Sequence, residues 1–145
     1  MRFMMIVKAS KQSEEGQLPA PGLFEAMGRF NEEMVKAGVL LAAEGLHSSA
    51  KGARVKFSGG KVSVVDGPFT ETKELIAGFW LIDVKSREEA IAWARRSPSP
   101  HGENVEGEIE IRQVYELSEF PAEVLSPEVA AREQAMREQL ERSKA

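Results

Sequence analysis

Residues 66–80 read DGPFTETKELIAGFW, and the run continues through LIDV to residue 84. GFWLIDV, residues 78–84, is apolar on both alternating faces apart from Asp83. That is the pattern of a strand covered on two sides, and so central in its sheet. The residues before it are of another kind. Gly67-Pro68 after Asp66 is a turn signal, because proline fixes its own φ and gives no N–H to a ladder. Glu71, Lys73 and Glu74 then crowd charge into four residues just ahead of the apolar run. Such a segment is either a corner followed by a solvated loop or a place where a loop carries function beside a rigid strand.

Working upstream, RVKFSGGKVSVVDG alternates Val55 and Phe57, then Val62 and Val64, around Gly59-Gly60, which predicts a β-hairpin. VLLAAEGL, residues 39–46, is a strand closed by Gly45 and the loop HSSAKG. Before it, Leu23, Met27, Phe30 and Met34 recur at helical spacing on one face, and Gly38 stops the helix. SKQSEEGQLPAPG is polar and rich in glycine and proline, and it reads as a loop. RFMMIVKA, residues 2–9, is the first strand. Downstream, Ser86 and Glu89 predict a capping box for a helix whose stripe is Ala90, Ile91, Trp93 and Ala94. SPSPHGEN ends that helix near Ser97. EGEIEIRQVYEL, residues 106–117, then alternates as a last strand with Ile109, Ile111 and Tyr115 on one side. Ser126-Pro127 predicts the N-cap and first position of a C-terminal helix. Its expected ion pairs are Glu128 with Arg132, Glu133 with Arg137 and Glu138 with Arg142, and its apolar face is thin, with Val129, Met136 and Leu140.

The order is that of an α+β protein, a ferredoxin-like βαββαβ unit with an inserted β-hairpin and a helical tail. Both helices of such a unit cover one face of the sheet. The other face needs a cover too, and the two-sided apolar character of GFWLIDV predicts a homodimer with sheets face to face.

Composition narrows the function classes. A chain of 145 residues is one domain of ordinary size, able to bury a core without metal or disulfide. The formal net charge of −4 provides no basic field for a phosphate backbone, so direct nucleic-acid binding is not expected. There is no cysteine, which removes thiolate chemistry and thiolate metal sites and suits a reducing compartment. No run approaches the ~20 apolar residues of a membrane span, and MRFMMIVKAS turns polar too early for a secretory signal. The expectation is a cytoplasmic protein that does not meet a membrane.

At DGPFTETKELIAGFW the sequence resembles the YCII-related proteins of the DGPF type. In these, an Asp-Gly-Pro-Phe corner is followed by Glu, Lys-Glu and a glycine before a strand. The first strand ending in Lys8, the pattern RFNEEMVKAGVLL, the GLHSSA loop and the Ile-Glu-Ile-Arg strand agree with it. The resemblance covers residues 1–118 and leaves 119–145 as a C-terminal helical extension. It implies a dimeric α+β barrel and bacterial proteins sometimes encoded near, or fused to, extracytoplasmic-function sigma factors. The better-known branch carries a proposed pair, a histidine opening the first helix and an aspartate in a D-P-Y-like turn after the second. Here those places hold Pro21-Gly22-Leu23-Phe24 and Ser97-Pro98-Ser99-Pro100, so that acid–base role does not carry over.

Six residues remain as candidates. His47 follows a strand end, where an imidazole beside a carboxylate such as Asp66 would act as acid or base near neutral pH. Glu71, Lys73, Glu74 and Arg112 are candidates to hold a ligand, the two cations an anionic one. His101, the other of two histidines, lies in a proline-glycine loop. No spacing of His, Asp or Glu suggests a metal site, and no glycine-rich phosphate loop or nucleophile elbow occurs, so no cofactor is expected. The first expectation is a small-molecule-binding dimer. Its rivals are a cofactor-free enzyme acting on a small organic acid or aromatic through His47, and an interaction protein that meets a sigma factor through its C-terminal helix.

Overall fold

The structure, a computed structural model, describes residues 1–144. Its elements are β1 (Arg2–Lys8), α1 (Lys11–Glu14), α2 (Pro21–Lys36), β2 (Leu40–Gly45), β3 (Ala53–Ser58), β4 (Lys61–Asp66), β5 (Ile76–Asp83), α3 (Arg87–Arg96), β6 (Ile109–Gln113) and α4 (Pro127–Ser143). Short 3-10 turns occupy Ser49–Lys51, Thr72–Glu74 and Leu117–Glu119. The chain divides into a unit of Met1–Val114 and a second beginning at Tyr115.

In the first unit, four strands pair in the order β2-β5-β1-β6, with every pairing antiparallel. This is the expected ferredoxin-like α+β arrangement, with β5 inside the sheet. Along β1 the burial alternates, and Phe3, Met5 and Val7 face the core. Their partners in register are Ile82, Trp80 and Gly78 of β5. Phe30 and Met34 of α2 and Ala90 and Trp93 of α3 close the same cluster, so both long helices lie on this face. The Trp80 indole packs edge-on against Phe30 at 5.6 Å, and its N–H donates to Asn31 Oδ1 at 2.7 Å. One buried aromatic thus meets both its apolar and its polar demand on one helix. Gly38, at φ +74°, ends α2: its N–H reaches the Val35 carbonyl while that of Val39 reaches Met34, and this Schellman closure leads the chain into β2.

Several local expectations change. Residues 10–14 do not form a loop. Ser10 and Ser13 each accept the other's backbone N–H, at 3.0 and 2.9 Å, and this reciprocal cap holds the single turn α1. At α3, Ser86 Oγ accepts the Glu89 N–H at 3.1 Å, but the Glu89 carboxylate takes the Lys85 N–H, one residue before the cap. The last strand is shorter than 106–117, because β6 is an edge strand paired, among the described residues, with the seven-residue β1 alone. Lys8 N–H to Glu108 O and Val114 N–H to Arg2 O mark its two ends.

In the second unit Tyr115 stacks on Phe120 at 4.9 Å. Ser126 caps α4 through the Val129 N–H. The pairs of Glu128 with Arg132 and Glu133 with Arg137 form at 3.5 Å. The third does not, since Glu138 accepts from Gln134 instead. Among the described residues no helix is long and apolar enough to cross a membrane.

Ile82 is 0% exposed and is the register partner of both Phe3 and Leu40. Ile82→Ala should lower stability by about 2–5 kcal/mol, seen as a lower urea midpoint at unchanged slope.

Candidate functional site

The corner at residues 66–69 is built by close backbone approach. The Gly67-Pro68 peptide is cis, and the Gly67 N–H donates to Gly52 O at 2.9 Å. A Cβ on Gly67 would stand 1.7 Å from the Ser49 carbonyl oxygen, a separation no side chain permits. Gly78 is crowded in the same way, with the Glu44 carbonyl oxygen 2.8 Å from where its Cβ would be. The glycines of the motif and of the following strand are therefore spacers between backbones.

Ser49 is the hub of the corner. Its hydroxyl donates to a carboxylate oxygen of Glu14 and accepts the Phe69 N–H at 2.9 Å. Its own N–H donates to the other Glu14 oxygen at 3.0 Å. One carboxylate from α1 thus orders the turn after β2, and that turn orders the corner. The Arg54 guanidinium lies 3.8 Å from the centroid of the Phe69 ring, which attaches the base of the β3-β4 hairpin to the same assembly.

Neither Glu14 nor Ser49 was legible as a partner of the motif. Ser49 falls inside GLHSSA and Glu14 inside a polar segment, but their contact spans 35 positions, and no periodicity encodes that. The aspartate of the motif takes no part in this network. Asp66 is exposed, pairs with Ala53 through the ladder, and has no side-chain partner among the described residues.

The other candidates are dispersed. His47, Glu71, Lys73 and Glu74 are exposed and carry no side-chain hydrogen bond or ion pair among the described residues. The structure therefore joins His47 to neither Asp66 nor Glu74. Arg112 lies on β6, 3.4 Å from Glu110. His101 has a structural position: its Nε2 lies 2.8 Å from the Lys8 carbonyl. A carbonyl only accepts, so the ring donates there and ties the loop after α3 to the end of β1.

Two surfaces of the first unit complete the picture. The sheet face turned away from α2 and α3 carries the row Glu44, Phe79, Ile6 and Glu110, then the row Ala42, Leu81, Met4 and Arg112. Its four large apolar side chains are only half-buried. Between α3 and β6 runs a groove of about 410 Å³. Ile91, Ala94, Ile109 and Ile111 give it an apolar lining, and Arg95, Ser97 and Ser99 add polar groups. No residue of the 66–74 segment lines it.

Comparison with known proteins adds two findings. Residues 1–118 match the family described as the YCII-related domain. An uncharacterized protein of Rhizobium meliloti (strain 1021) is 35% identical over 96 residues, covering 66% of this chain and 77% of its own.

Removing the Ser49 hydroxyl strands the Phe69 N–H and half of the Glu14 carboxylate. Ser49→Ala should therefore cost about 1–3 kcal/mol, and Gly67→Ala should cost more, since backbone must move. Asp66→Ala, at an exposed side chain, should stay within about 0.5 kcal/mol of wild type. Chemical denaturation of the three variants side by side checks the ranking.

Proposed function

Because the chain belongs to the YCII-related domain family, we propose that it is a homodimeric, small-molecule-binding α+β barrel. The groove between α3 and β6 supports this most directly. It is an open groove of about 410 Å³, and its mixture of apolar and polar side chains is one that small-ligand sites use. The Arg95 guanidinium and the Ser99 hydroxyl favour a compact apolar ligand with an anionic or hydrogen-bonding head. Ser97 Oγ donates to Pro98 O at 2.8 Å, which leaves its lone pairs to accept from a ligand.

Support for the dimer comes from the second face of the sheet. Met4, Ile6, Phe79 and Leu81 form an apolar centre that the unit's long helices leave half-exposed. Two copies joined through this face would bury it and close a barrel. The rims carry both signs, with Glu44 and Glu110 along one row and Arg112 in the next, so a twofold arrangement can set unlike charges opposite one another.

Native mass spectrometry of freshly purified protein should give the mass of two 16.0-kDa chains and release a reproducible small molecule on denaturation. Ala94→Trp, which fills the groove, should abolish that cargo and leave the dimer intact, while Arg95→Ala should weaken acidic ligands about tenfold or more in a thermal-shift titration. An empty monomer at micromolar concentration would remove the proposal.

A further inference from the structure

The β3-β4 hairpin forms a two-stranded sheet of its own, separate from the four-stranded one among the described residues, and every residue of its two strands is exposed. Its register places Val55 opposite Val64 and Phe57 opposite Val62, so these four side chains share one face, and each is more than half exposed. The other face carries Arg54 and Lys56 of β3 and Lys61 of β4. A two-stranded ribbon is marginal in water unless something packs on it, and an uncovered row of Val and Phe on such a ribbon is an association surface. The ribbon is nevertheless held firmly at its base. Its last residue, Asp66, runs into the Gly67 corner, where Gly52 O, Ser49 Oγ and the Arg54–Phe69 stack fix its exit.

We propose that this hairpin is a dimerisation arm whose apolar face packs on a second copy of the chain, and that the DGPF corner with its Glu14–Ser49 clasp anchors the arm. This rests on the homodimer reading above and adds which segment completes the interface. The area needed favours a second copy as the occupant. Stable interfaces take about 800 Å² from each partner. Four side chains on one ribbon face supply only a fraction of that, and the half-exposed sheet face of the same chain carries the apolar surface that would make up the rest.

The test compares wild type with the double variant Phe57→Ser, Val62→Ser by sedimentation across a dilution series, with hydrogen exchange of the hairpin amides at each concentration. Both positions are exposed in the single chain, so the variant should keep the far-UV spectrum and Trp80 fluorescence of the wild type. The expected result is a dimer Kd raised at least tenfold, with hairpin amides protected in the wild-type dimer and losing protection as it dissociates. A variant that misfolds leaves the wild-type exchange experiment to decide. A wild-type dimer whose hairpin exchanges freely at every concentration, or whose Kd the variant does not change, overturns the arm while leaving the homodimer standing. A wild-type monomer throughout overturns both. Capture of the wild type, but not the variant, by phosphatidylglycerol vesicles would overturn the proposal by assigning the face to a lipid surface.

Discussion

The packing of the first unit turns on Trp80. An indole ring is large enough to organise a core, but its N–H is a donor that burial would strand. Trp80 is 6% exposed, and Asn31 answers its N–H from the same helix that presents Phe30 to its ring. Sheet and helix are thereby locked in register by one side chain. Phe30 also meets Trp93, with centroids 6.3 Å apart, which carries the contact on to α3. The consequence for function is indirect but strict: α2 and α3 are committed to one face of the sheet, and the groove along β6 and the open second face are what that commitment leaves.

The corner at residues 66–69 belongs to a different class of interaction. It is set by the absence of side chains at Gly67 and Gly78, and then by hydrogen bonds that cross long stretches of chain. A carboxylate on a four-residue helix reaches a serine after β2, and that serine reaches the corner after β4. Each bond alone is worth about 1 kcal/mol or somewhat more where charge assists. Together they fix where the hairpin leaves the fold. The charged residues that follow close a 3-10 turn, with the Glu74 N–H on the Glu71 carbonyl at 2.9 Å, and the side chains of Glu71, Lys73 and Glu74 sit at the surface with no hydrogen bond among the described residues. The specific part of the motif is therefore architectural, and its chemistry is that of holding backbones together. At the corner the Glu14 carboxylate is engaged by a hydroxyl and an amide of Ser49.

Much of this was legible in the residues themselves. The two-sided apolar character of GFWLIDV placed β5 inside the sheet, the spacing of Leu23, Met27, Phe30 and Met34 predicted α2, and Gly59-Gly60 predicted a two-residue turn. These succeed because period and turn chemistry are local properties, read over a few residues. The same locality explains the failures. Serine at the third position of α1 gives no standard capping signature, so that turn was hidden in a polar segment. The length of β6 depends on its neighbour, since a strand extends only as far as a partner offers hydrogen bonds.

The sequence by itself determined the element order, the α+β class, the identity of the central strand and the presence of a glycine-proline corner, because each follows from short-range sterics and from which residues avoid water. Only the tertiary structure decided that Gly67 must be glycine because of Ser49, that Glu14 serves the corner, that His47 and Asp66 share no hydrogen bond among the described residues, and that the apolar face of the hairpin is left exposed. Those facts are separations in space between residues far apart in the chain, and they are set by packing, which no local pattern records.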